Sequence, residues 1–245
     1  MTQIALITGA NKGIGYETAR LLAERGMTVL LGARDPELGR AAAARLGMEF
    51  IRIDVTDEES VRQAAAQIEE RHGRLDVLVN NAGIARADGD WSPSATTLAT
   101  LRAVYETNVF GVVAVTNAML PLLRKAPAAR IVNVSSEVGS IAQTIDPDSP
   151  LSKFSSIPYP SSKTALNMIT VQYAKELWDT PMKVNAANPG YCATDLNGNS
   201  GLRTAAQGAE ISVHLATLPA DGPTGKLWGS LWTLGDADAT GVLPW

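Results

Sequence analysis

A tyrosine and a lysine stand four residues apart, at Tyr159 and Lys163, in a stretch whose pattern predicts a helix. Residues four apart on a helix share one face, so the phenol and the ammonium would lie side by side. A free phenol has a pKa of about 10 and is a poor base near neutral pH, but a neighbouring positive charge favours the phenolate. The pair is therefore a candidate for moving a proton to or from a substrate oxygen. The spacing alone is a weak signal, because helical proteins often carry such a pair on their surface.

A glycine-rich turn near the beginning of the chain is a candidate phosphate site. It covers Thr8–Gly15, with the sequence TGANKGIG, and it lies between a predicted strand and a predicted helix. Glycine lets the backbone approach a pyrophosphate closely, and the N-terminus of the helix offers unpaired N–H groups and the positive end of its dipole. Such turns also serve as plain connectors, but the strand before and the helix after are the context that phosphate binding requires.

Short apolar runs alternate with longer helical patterns, which predicts an α/β protein with a doubly wound parallel sheet. The predicted strands are Ile4–Thr8, Thr28–Gly32, Glu49–Asp54, Leu75–Asn80, Arg130–Ser135, Lys183–Asn188 and Lys226–Leu231. The predicted helices are Ile14–Glu24, Pro36–Leu46, Glu58–His72, Thr97–Arg124, Pro160–Trp178 and Thr204–Leu218. The segment Ser136–Ile157 is rich in Ser, Asp and Pro and is predicted to be a loop. No linker or repeat divides the sequence, so we expect one domain over residues 1–245.

Composition and charge argue against several other classes of protein. The 245 residues contain 21 Lys and Arg against 25 Asp and Glu, a net charge of −4, so we expect no nucleic-acid partner. A single cysteine, Cys192, forms no intramolecular disulfide, and two histidines, His72 and His214, are too few and too separated for a metal site or a Ser–His–Asp hydrolase. The first residues read as a strand and not as a signal peptide. The apolar runs stay short of the roughly 20 residues of a membrane span, so we expect a cytoplasmic protein with no membrane partner.

Several motifs together resemble the short-chain dehydrogenase/reductase family, and the resemblance covers essentially the whole chain. They are the glycine turn with its G-x-x-x-G-x-G spacing, Asn80–Gly83, Asn108, Ser136, Tyr159 with Lys163, and Pro189–Gly190. Within that family, Asn11 with Lys12 and the segment Gln207–Glu210 are most similar to the monomeric carbonyl reductases. The resemblance implies a Rossmann-type, three-layer α/β/α fold with strand order 3-2-1-4-5-6-7.

The resemblance also implies roles for individual residues. Tyr159 would exchange the proton with the substrate, and Ser136 would orient the substrate oxygen. Lys163 would hold the nicotinamide ribose and tune Tyr159, and Asn108 would position a water that connects Lys163 to solvent. Ser135 competes with Ser136, which we prefer because of its spacing from the glycine that follows. The residues expected to bind the cofactor, with the adenine contacts Asp54 and Val55 among them, are Gly9, Asn11, Lys12, Gly13, Ile14, Gly15, Arg34, Asp54, Val55, Asn81, Ala82, Gly83, Tyr159, Lys163, Pro189, Gly190 and Thr194.

The end of the second strand bears on the choice of nicotinamide cofactor. An acidic residue there would accept from both ribose hydroxyls and select NAD(H), whereas a guanidinium can hold a 2′-phosphate. Ala33 aligns with the acidic position of NAD-preferring relatives, and Arg34 follows it. Lys12 could reach the same phosphate, so we predict NADP(H). If the strand ended two residues later, Asp35 would be the selector and NAD(H) the cofactor.

The expected function is the reversible reduction of a small ketone, aldehyde or quinone-like carbonyl to the alcohol. A ketoacyl-thioester reductase acting on a carrier-bound substrate and a non-catalytic nucleotide sensor are the alternatives. Segments at about 136–158 and 190–203 are expected to line the substrate pocket. The first contains an insertion, near residues 143–157, which is larger in the monomeric carbonyl reductases and covers a surface used for oligomerisation elsewhere in the family. Monomer and homo-oligomer therefore stay open, as do the roles of Cys192, Tyr191 and the tryptophans.

Overall fold

The computed structural model describes residues 2–89 and 91–245, apart from the side chains of residues 237 and 238. Eight strands in this part of the chain form one sheet: β1 (Ile4–Ile7), β2 (Thr28–Ala33), β3 (Glu49–Arg52), β4 (Val77–Asn80), β5 (Arg130–Val134), β6 (Lys183–Asn188), β7 (Leu227–Leu231) and β8 (Asp236–Leu243). Their order in the sheet is β3-β2-β1-β4-β5-β6-β7-β8. The first seven are parallel, which confirms the predicted fold class and strand order, and β8 pairs antiparallel with β7.

Helices cover both faces of the sheet and begin and end at residues with a local reason to do so. They are α1 (Gly13–Glu24), α2 (Pro36–Leu46), α3 (Glu58–His72), α4 (Leu98–Tyr105), α5 (Gly111–Leu123), α6 (Ile141–Ile145), α7 (Pro158–Glu176) and α8 (Ala205–Ala216). The carboxylates of Asp35 and Asp57 accept from the first free N–H groups of α2 and α3. The same two helices end at Gly47 and Gly73, whose φ angles of 65° and 72° are left-handed.

Successive residues of the strands pack against different helices, so each face of the sheet has its own core. On β1, Leu6 belongs to the core formed with α3, α5 and α7, whereas Ile7 belongs to the core formed with α1, α2 and α8. Both side chains are fully buried. Burial of a leucine or isoleucine contributes about 1.5–3 kcal/mol, and continuous apolar strands are therefore favoured only where both faces are covered.

Two parts of the fold differ from the sequence-based expectation. The predicted loop at Ser136–Ile157 contains the short helix α6 and 3₁₀ turns at Glu137–Gly139 and Pro150–Lys153. The serines that suggested a loop act as caps, since Ser140 and Ser149 accept from the Gln143 and Leu151 N–H groups at 3.2 Å each. Strand β8 was not predicted, because Asp236–Leu243 consists largely of Asp, Ala and Gly, which are depleted in strands.

The predicted long helix is continuous from Leu98 to Leu123 but contains a π-helical segment, Glu106–Phe110, between α4 and α5. By length and composition this stretch could cross a membrane, with a mean hydropathy of 1.3, contrary to the expectation from uninterrupted apolar runs. Half of the tested window is buried inside the protein, as in the core helix of a globular domain. Length and apolar composition are thus weak grounds for a membrane span.

At the edge of the sheet where the parallel strands begin, a buried arginine forms hydrogen bonds with three segments of the chain. Arg130 is 5% exposed and donates to the Leu218 carbonyl through Nε at 2.9 Å and Nη2 at 2.7 Å. It also donates to the carbonyls of Ala128, Ala129 and Pro181, at 2.9, 3.0 and 3.3 Å. Burial lowers the pKa of this guanidinium. Its hydrogen bonds satisfy backbone carbonyls that would otherwise be buried and unpaired.

We expect Arg130→Met to lower the free energy of unfolding by about 2–4 kcal/mol, because it leaves several buried carbonyls without a donor. Urea unfolding of wild type and variant gives this difference. Arg124→Met is the matched control, since Arg124 forms an exposed ion pair with Glu176, and such pairs contribute about 0–1 kcal/mol. Equal effects of the two substitutions would contradict a stabilising role for the Arg130 hydrogen bonds.

Candidate active site

The predicted site residues are brought together because parallel strands end at the same edge of the sheet. The glycine turn follows β1, Asn81–Gly83 follow β4, Ser136 follows β5, and Pro189–Thr194 follow β6. The strand order reverses between β1 and β4, since β2 lies on one side of β1 and β5 on the far side of β4. In doubly wound sheets this reversal opens a crevice beyond the strand ends, which is where ligands bind.

The glycine turn is packed so tightly against the β4 end that side chains are excluded. Gly9 has a φ of 63°, and a Cβ placed on it would lie 2.9 Å from the Cα of Ala82. A Cβ on Gly15 would collide with the Asn81 amide, whose Nδ2 donates to the carbonyls of Thr8 and Gly9 at 2.9 and 3.1 Å. The predicted turn residues and Asn81 therefore form one rigid unit.

The N-terminus of α1 fits a phosphate group. Lys12 precedes the helix in an extended conformation, no side chain caps the first turn, and no acidic residue lies in it. The first N–H groups of the helix and its positive dipole end are thus available to an anion. Gly13 faces Thr194, whose Cγ2 would lie 3.7 Å from a Cβ on Gly13, so the segment after β6 closes over the turn. Asn11 and Ile14 lie half-buried beside it.

Asn108 lies in the π-helical segment and is 1% exposed. Its Oδ1 accepts from the Ile84 N–H at 2.9 Å, and its Nδ2 donates to the Ile84 carbonyl at 2.9 Å and to the Ser162 Oγ at 3.0 Å. One side chain thus joins the segment after β4 to helix α7. A Cβ on Gly83 would lie 3.4 Å from the Asn108 Oδ1 and 3.7 Å from the Lys163 Nζ, so three predicted residues converge here.

The Lys163 ammonium is buried on the same face of α7 as Tyr159. Its side chain is 5% exposed, and its Nζ donates to the Val134 carbonyl at 2.8 Å. The Nζ lies 5.4 Å from the centre of the Tyr159 ring. Burial lowers the pKa of Lys163 to about 8, because a positive charge is poorly solvated there.

The two candidate serines have different surroundings. Ser135 is 2% exposed, and its Oγ donates to the Asn167 Oδ1 at 2.6 Å, so its hydroxyl is committed to α7. Ser136 is half-buried, and its hydroxyl forms a hydrogen bond with Tyr159. The geometry favours Ser136 as the serine that faces a substrate.

Tyr159 differs from the expectation in the direction of its pKa. Burial raises the pKa of Tyr159 well above its usual value, the negative charge of Glu137 raises it further, and the Ser136 hydrogen bond lowers it. The expected lowering by Lys163 is not among the influences on this pKa, and loss of solvent disfavours the phenolate. Without a further positive charge in the site, Tyr159 is a phenol, which is the form that donates a proton.

Glu137 is the residue of this site that the sequence did not reveal. It is 3% exposed, its Oε1 accepts from the Trp232 Nε1 at 3.1 Å, and its backbone N–H donates to the Asn188 Oδ1 at 3.1 Å. Burial raises its pKa, while the Trp232 hydrogen bond and the charge of Arg203 act in the other direction. A charged residue three positions beyond the end of the buried strand β5 was the available signal.

The residues predicted near the adenosine end are placed as follows. Arg34 is exposed just beyond β2, and within the described part of the chain its side chain forms no hydrogen bond or ion pair. Asp35, the alternative selector, is committed to capping α2, with Oδ1 accepting from Glu37 and Leu38 N–H groups at 2.9 and 3.0 Å. Asp54 accepts from the N–H and hydroxyl of Thr56 at 3.0 and 2.8 Å. Val55 is buried.

The segment after β6 holds the remaining predicted residues. Gly190 has a φ of 75°, and its N–H donates to the Asn188 Oδ1 at 3.2 Å. Cys192 is buried, donates to the Pro189 carbonyl at 3.4 Å, and has a pKa raised to about 11 by burial. Such a thiol is unreactive near neutral pH. Among the described residues, no group of three or more His, Cys, Asp or Glu side chains could hold a metal ion.

Comparisons with known proteins agree with this geometry. A family model described as short chain dehydrogenase matches residues 3–204. The chain is 42% identical to the short-chain dehydrogenase anuI of Penicillium roqueforti over 239 residues, covering 93% of this chain and 92% of that protein. It is 33% identical to carbonyl reductase [NADPH] 1 of Bos taurus over 266 residues, covering 91% and 94%.

Solved structures show the same similarity. The NADPH-bound carbonyl reductase from chicken fatty liver superposes with a TM-score of 0.82 at 29% identity, covering 100% of this chain and 99% of that one. Salutaridine reductase of Papaver somniferum superposes with a TM-score of 0.80 at 30% identity, covering 92% and 99%.

The buried ammonium of Lys163 predicts a pH-dependent stability. Its folded-state pKa of about 8 lies below the ordinary 10.5, so the cost of burial is fully present below pH 8 and disappears as the pH rises toward 10.5. That cost is about 3 kcal/mol, and the hydrogen bond to Val134 offsets part of it. Lys163→Met should therefore be more stable than wild type at pH 7 by about 1 kcal/mol. This difference should fall by about 2 kcal/mol and reverse its sign by pH 9.5.

Urea unfolding at the two pH values measures this difference. Lys175→Met, which replaces an exposed lysine of the same helix, is the control and should show a constant difference from wild type. A constant difference for Lys163→Met as well would mean that the pKa of Lys163 is not lowered.

Proposed function

The chain belongs to the short-chain dehydrogenase family, and on that basis we propose that it is an NADP(H)-dependent oxidoreductase that reversibly reduces a small ketone, aldehyde or quinone-like carbonyl. The observation that carries this proposal is the pairing of the half-buried Tyr159 with the buried Lys163, whose Nζ lies 5.4 Å from the ring centre and next to Gly83. The nicotinamide, when bound, supplies or accepts the hydride. The protein's own residues then bind, orient and exchange the proton.

Tyr159 is the proposed proton donor in the reducing direction. Its raised pKa keeps the hydroxyl protonated near neutral pH, so the donor form needs no activation. Ser136, which is hydrogen-bonded to Tyr159, would bind the same substrate oxygen. In the oxidising direction Tyr159 must release its proton, which the positive charges of Lys163 and of an oxidised nicotinamide would favour.

Lys163 and Asn108 are proposed to support Tyr159. Lys163 would help to position it, and Asn108 would maintain the path by which its proton is replaced. Lys163 would bind the nicotinamide ribose. Its hydrogen bond to the Val134 carbonyl would hold the Lys163 side chain in one rotamer, with the ammonium next to the Tyr159 ring. Asn108 would keep the proton path from Lys163 open, since its amide joins Ile84 to Ser162 next to Gly83. The expected water beside Asn108 belongs to the same proposal.

The cofactor-binding residues of this proposal are those predicted from the sequence. The glycine turn and the uncapped N-terminus of α1 would bind the pyrophosphate. Arg34 would bind the 2′-phosphate, and two observations support it: its guanidinium is exposed, and Asp35 is occupied as a helix cap. The bovine and chicken relatives are named as NADPH-linked carbonyl reductases, which also favours NADP(H).

We propose that the substrate is small and largely apolar, and that the enzyme acts in the cytoplasm. Seven large apolar side chains in the segments 136–158 and 190–203 are exposed: Ile141, Ile145, Phe154, Ile157, Tyr191, Leu196 and Leu202. Exposed apolar surface of this kind is common around ligand sites. A substrate bound to an acidic carrier protein would require a patch of basic residues near the pocket. Arg203 is the one basic residue of the segment 190–203, and its side chain donates to the Gln207 carbonyl at 3.1 Å.

Tyr159→Phe is expected to lower kcat by about 100-fold or more, because it removes the proton donor but keeps the ring. NADPH binding, followed by nucleotide fluorescence, should change little. Tyr173→Phe is the control on the same helix, where the hydroxyl donates to the Asn117 Oδ1 at 2.7 Å. Turnover of Tyr159→Phe near the wild-type rate would eliminate the mechanism.

Arg34→Ala should weaken NADPH binding by about 10-fold or more and leave NADH binding nearly unchanged, because charge-assisted bonds to the 2′-phosphate are lost. Dissociation constants for both nucleotides, measured by titration calorimetry, test this expectation. Arg52→Ala, an exposed arginine at the end of the neighbouring strand β3, controls for the loss of a positive charge. A wild-type protein that binds NADH more tightly than NADPH would refute the proposed cofactor.

A further inference from the structure

An ion pair joins the glycine turn to the segment after β6. The Lys12 Nζ donates to the Asp195 Oδ2 at 2.7 Å, although the two residues are 183 positions apart in the sequence. Both side chains are exposed, with 64% and 62% of their surface accessible. A single exposed ion pair stabilises a fold very little, so its position is of more interest than its contribution to stability.

The turn that carries Lys12 lies near two sites for negative charge. The first is Asp195, whose pKa is lowered chiefly by the hydrogen bond from Lys12, so that its carboxylate is ionised at neutral pH. The second is at the end of β2, since the turn that carries Lys12 lies against it: the Ala10 N–H, two residues before Lys12, donates to the Gly32 carbonyl at 2.8 Å. Arg34, the proposed 2′-phosphate ligand, follows two residues later.

A lysine ammonium is one compact charge on a flexible stem, so moving it to one anion takes it away from another. A phosphate monoester carries a charge of about −1.5 to −2 at pH 7 and attracts the ammonium more strongly than a carboxylate does. Binding of a 2′-phosphorylated nucleotide would therefore break the ion pair with Asp195. Binding of an unphosphorylated nucleotide would leave it intact.

We propose that Asp195 is a specificity-determining residue that competes with the cofactor's 2′-phosphate for Lys12. This inference rests on the proposed use of NADP(H). Asp195 weakens NADP(H) binding and has no effect on NAD(H) binding, so it reduces the preference that Arg34 and Lys12 create. The same competition speeds the release of NADP(H), because Asp195 recaptures Lys12 as the nucleotide leaves.

The test is a double-mutant cycle on nucleotide binding, measured without substrate. Asp195→Asn removes the negative charge but keeps the shape, and NADPH should then bind about fivefold more tightly, with NADH unchanged within about twofold. Lys12→Met should weaken NADPH binding. The double variant should match Lys12→Met, because Asp195 acts only through the lysine.

Asp179→Asn is the matched control for the change in net charge. Asp179 is exposed and precedes β6, so it lies at the edge of the sheet where the strands begin, opposite the site. Its replacement should alter neither nucleotide's dissociation constant.

The outcomes separate this inference from the proposed function. A wild-type protein without a preference for NADPH would refute both. If wild type prefers NADPH but Asp195→Asn binds both nucleotides as wild type does, or binds both more weakly by the same factor, the competition is refuted and the proposed function stands. A gain in NADPH affinity that persists in the Lys12→Met background would also refute it.

Discussion

The structure depends on the parallel pairing of β1–β7, which obliges every one of these strands to end at the same edge of the sheet. Each segment that leaves a strand end must turn there, next to the segments that leave its neighbours. Gly13 therefore faces Thr194, and Gly9 packs on Ala82, although both pairs are far apart along the chain. Since helices cover both faces of the sheet, this edge is the part of the sheet where polar side chains accumulate.

Burial of charge at that edge has opposite consequences for stability and for chemistry. Lys163 and Glu137 are at most 5% exposed, and for each of them loss of solvent is the largest influence on the pKa. A buried ammonium and a buried carboxylate do not favour folding, even with the hydrogen bonds from Lys163 to Val134 and from Trp232 to Glu137. Sites that work on protons commonly accept such a loss of stability, because the same burial shifts proton affinities.

The surroundings of the cleft are governed by weaker and more exposed contacts. Asp35 is fixed as a helix cap, which leaves the neighbouring Arg34 side chain extended into solvent. Lys12 and Asp195 are exposed as well, so solvent screens their attraction. Contacts of this strength add little to the stability of the fold. They can nevertheless distinguish two nucleotides that differ only in a 2′-phosphate. Rigid packing thus fixes the position of the site, while the exposed charges are those proposed to determine which nucleotide it binds.

Local patterns in the sequence were sufficient for the existence of β1–β7 and for the glycine turn, because each depends on residues close together in the chain. The strand order came from the family resemblance that the motifs carry together. The same resemblance identified Tyr159, Lys163, Asn108 and Ser136 as one group, although only Ser136 lies just beyond a strand end and the other three lie within helices. The family resemblance supplied their expected roles, which remain proposals.

Only the tertiary structure decided the features that depend on distant partners. Strand β8 exists through its pairing with β7, and Glu137 is buried under Trp232, 95 residues away. The pairing of Lys12 with Asp195 has no signature in either local sequence. The direction in which the pKa of Tyr159 is shifted also depends on distant partners. The sequence shows the neighbouring lysine, but only the folded chain determines how much water the phenol loses and which carboxylate lies beside it.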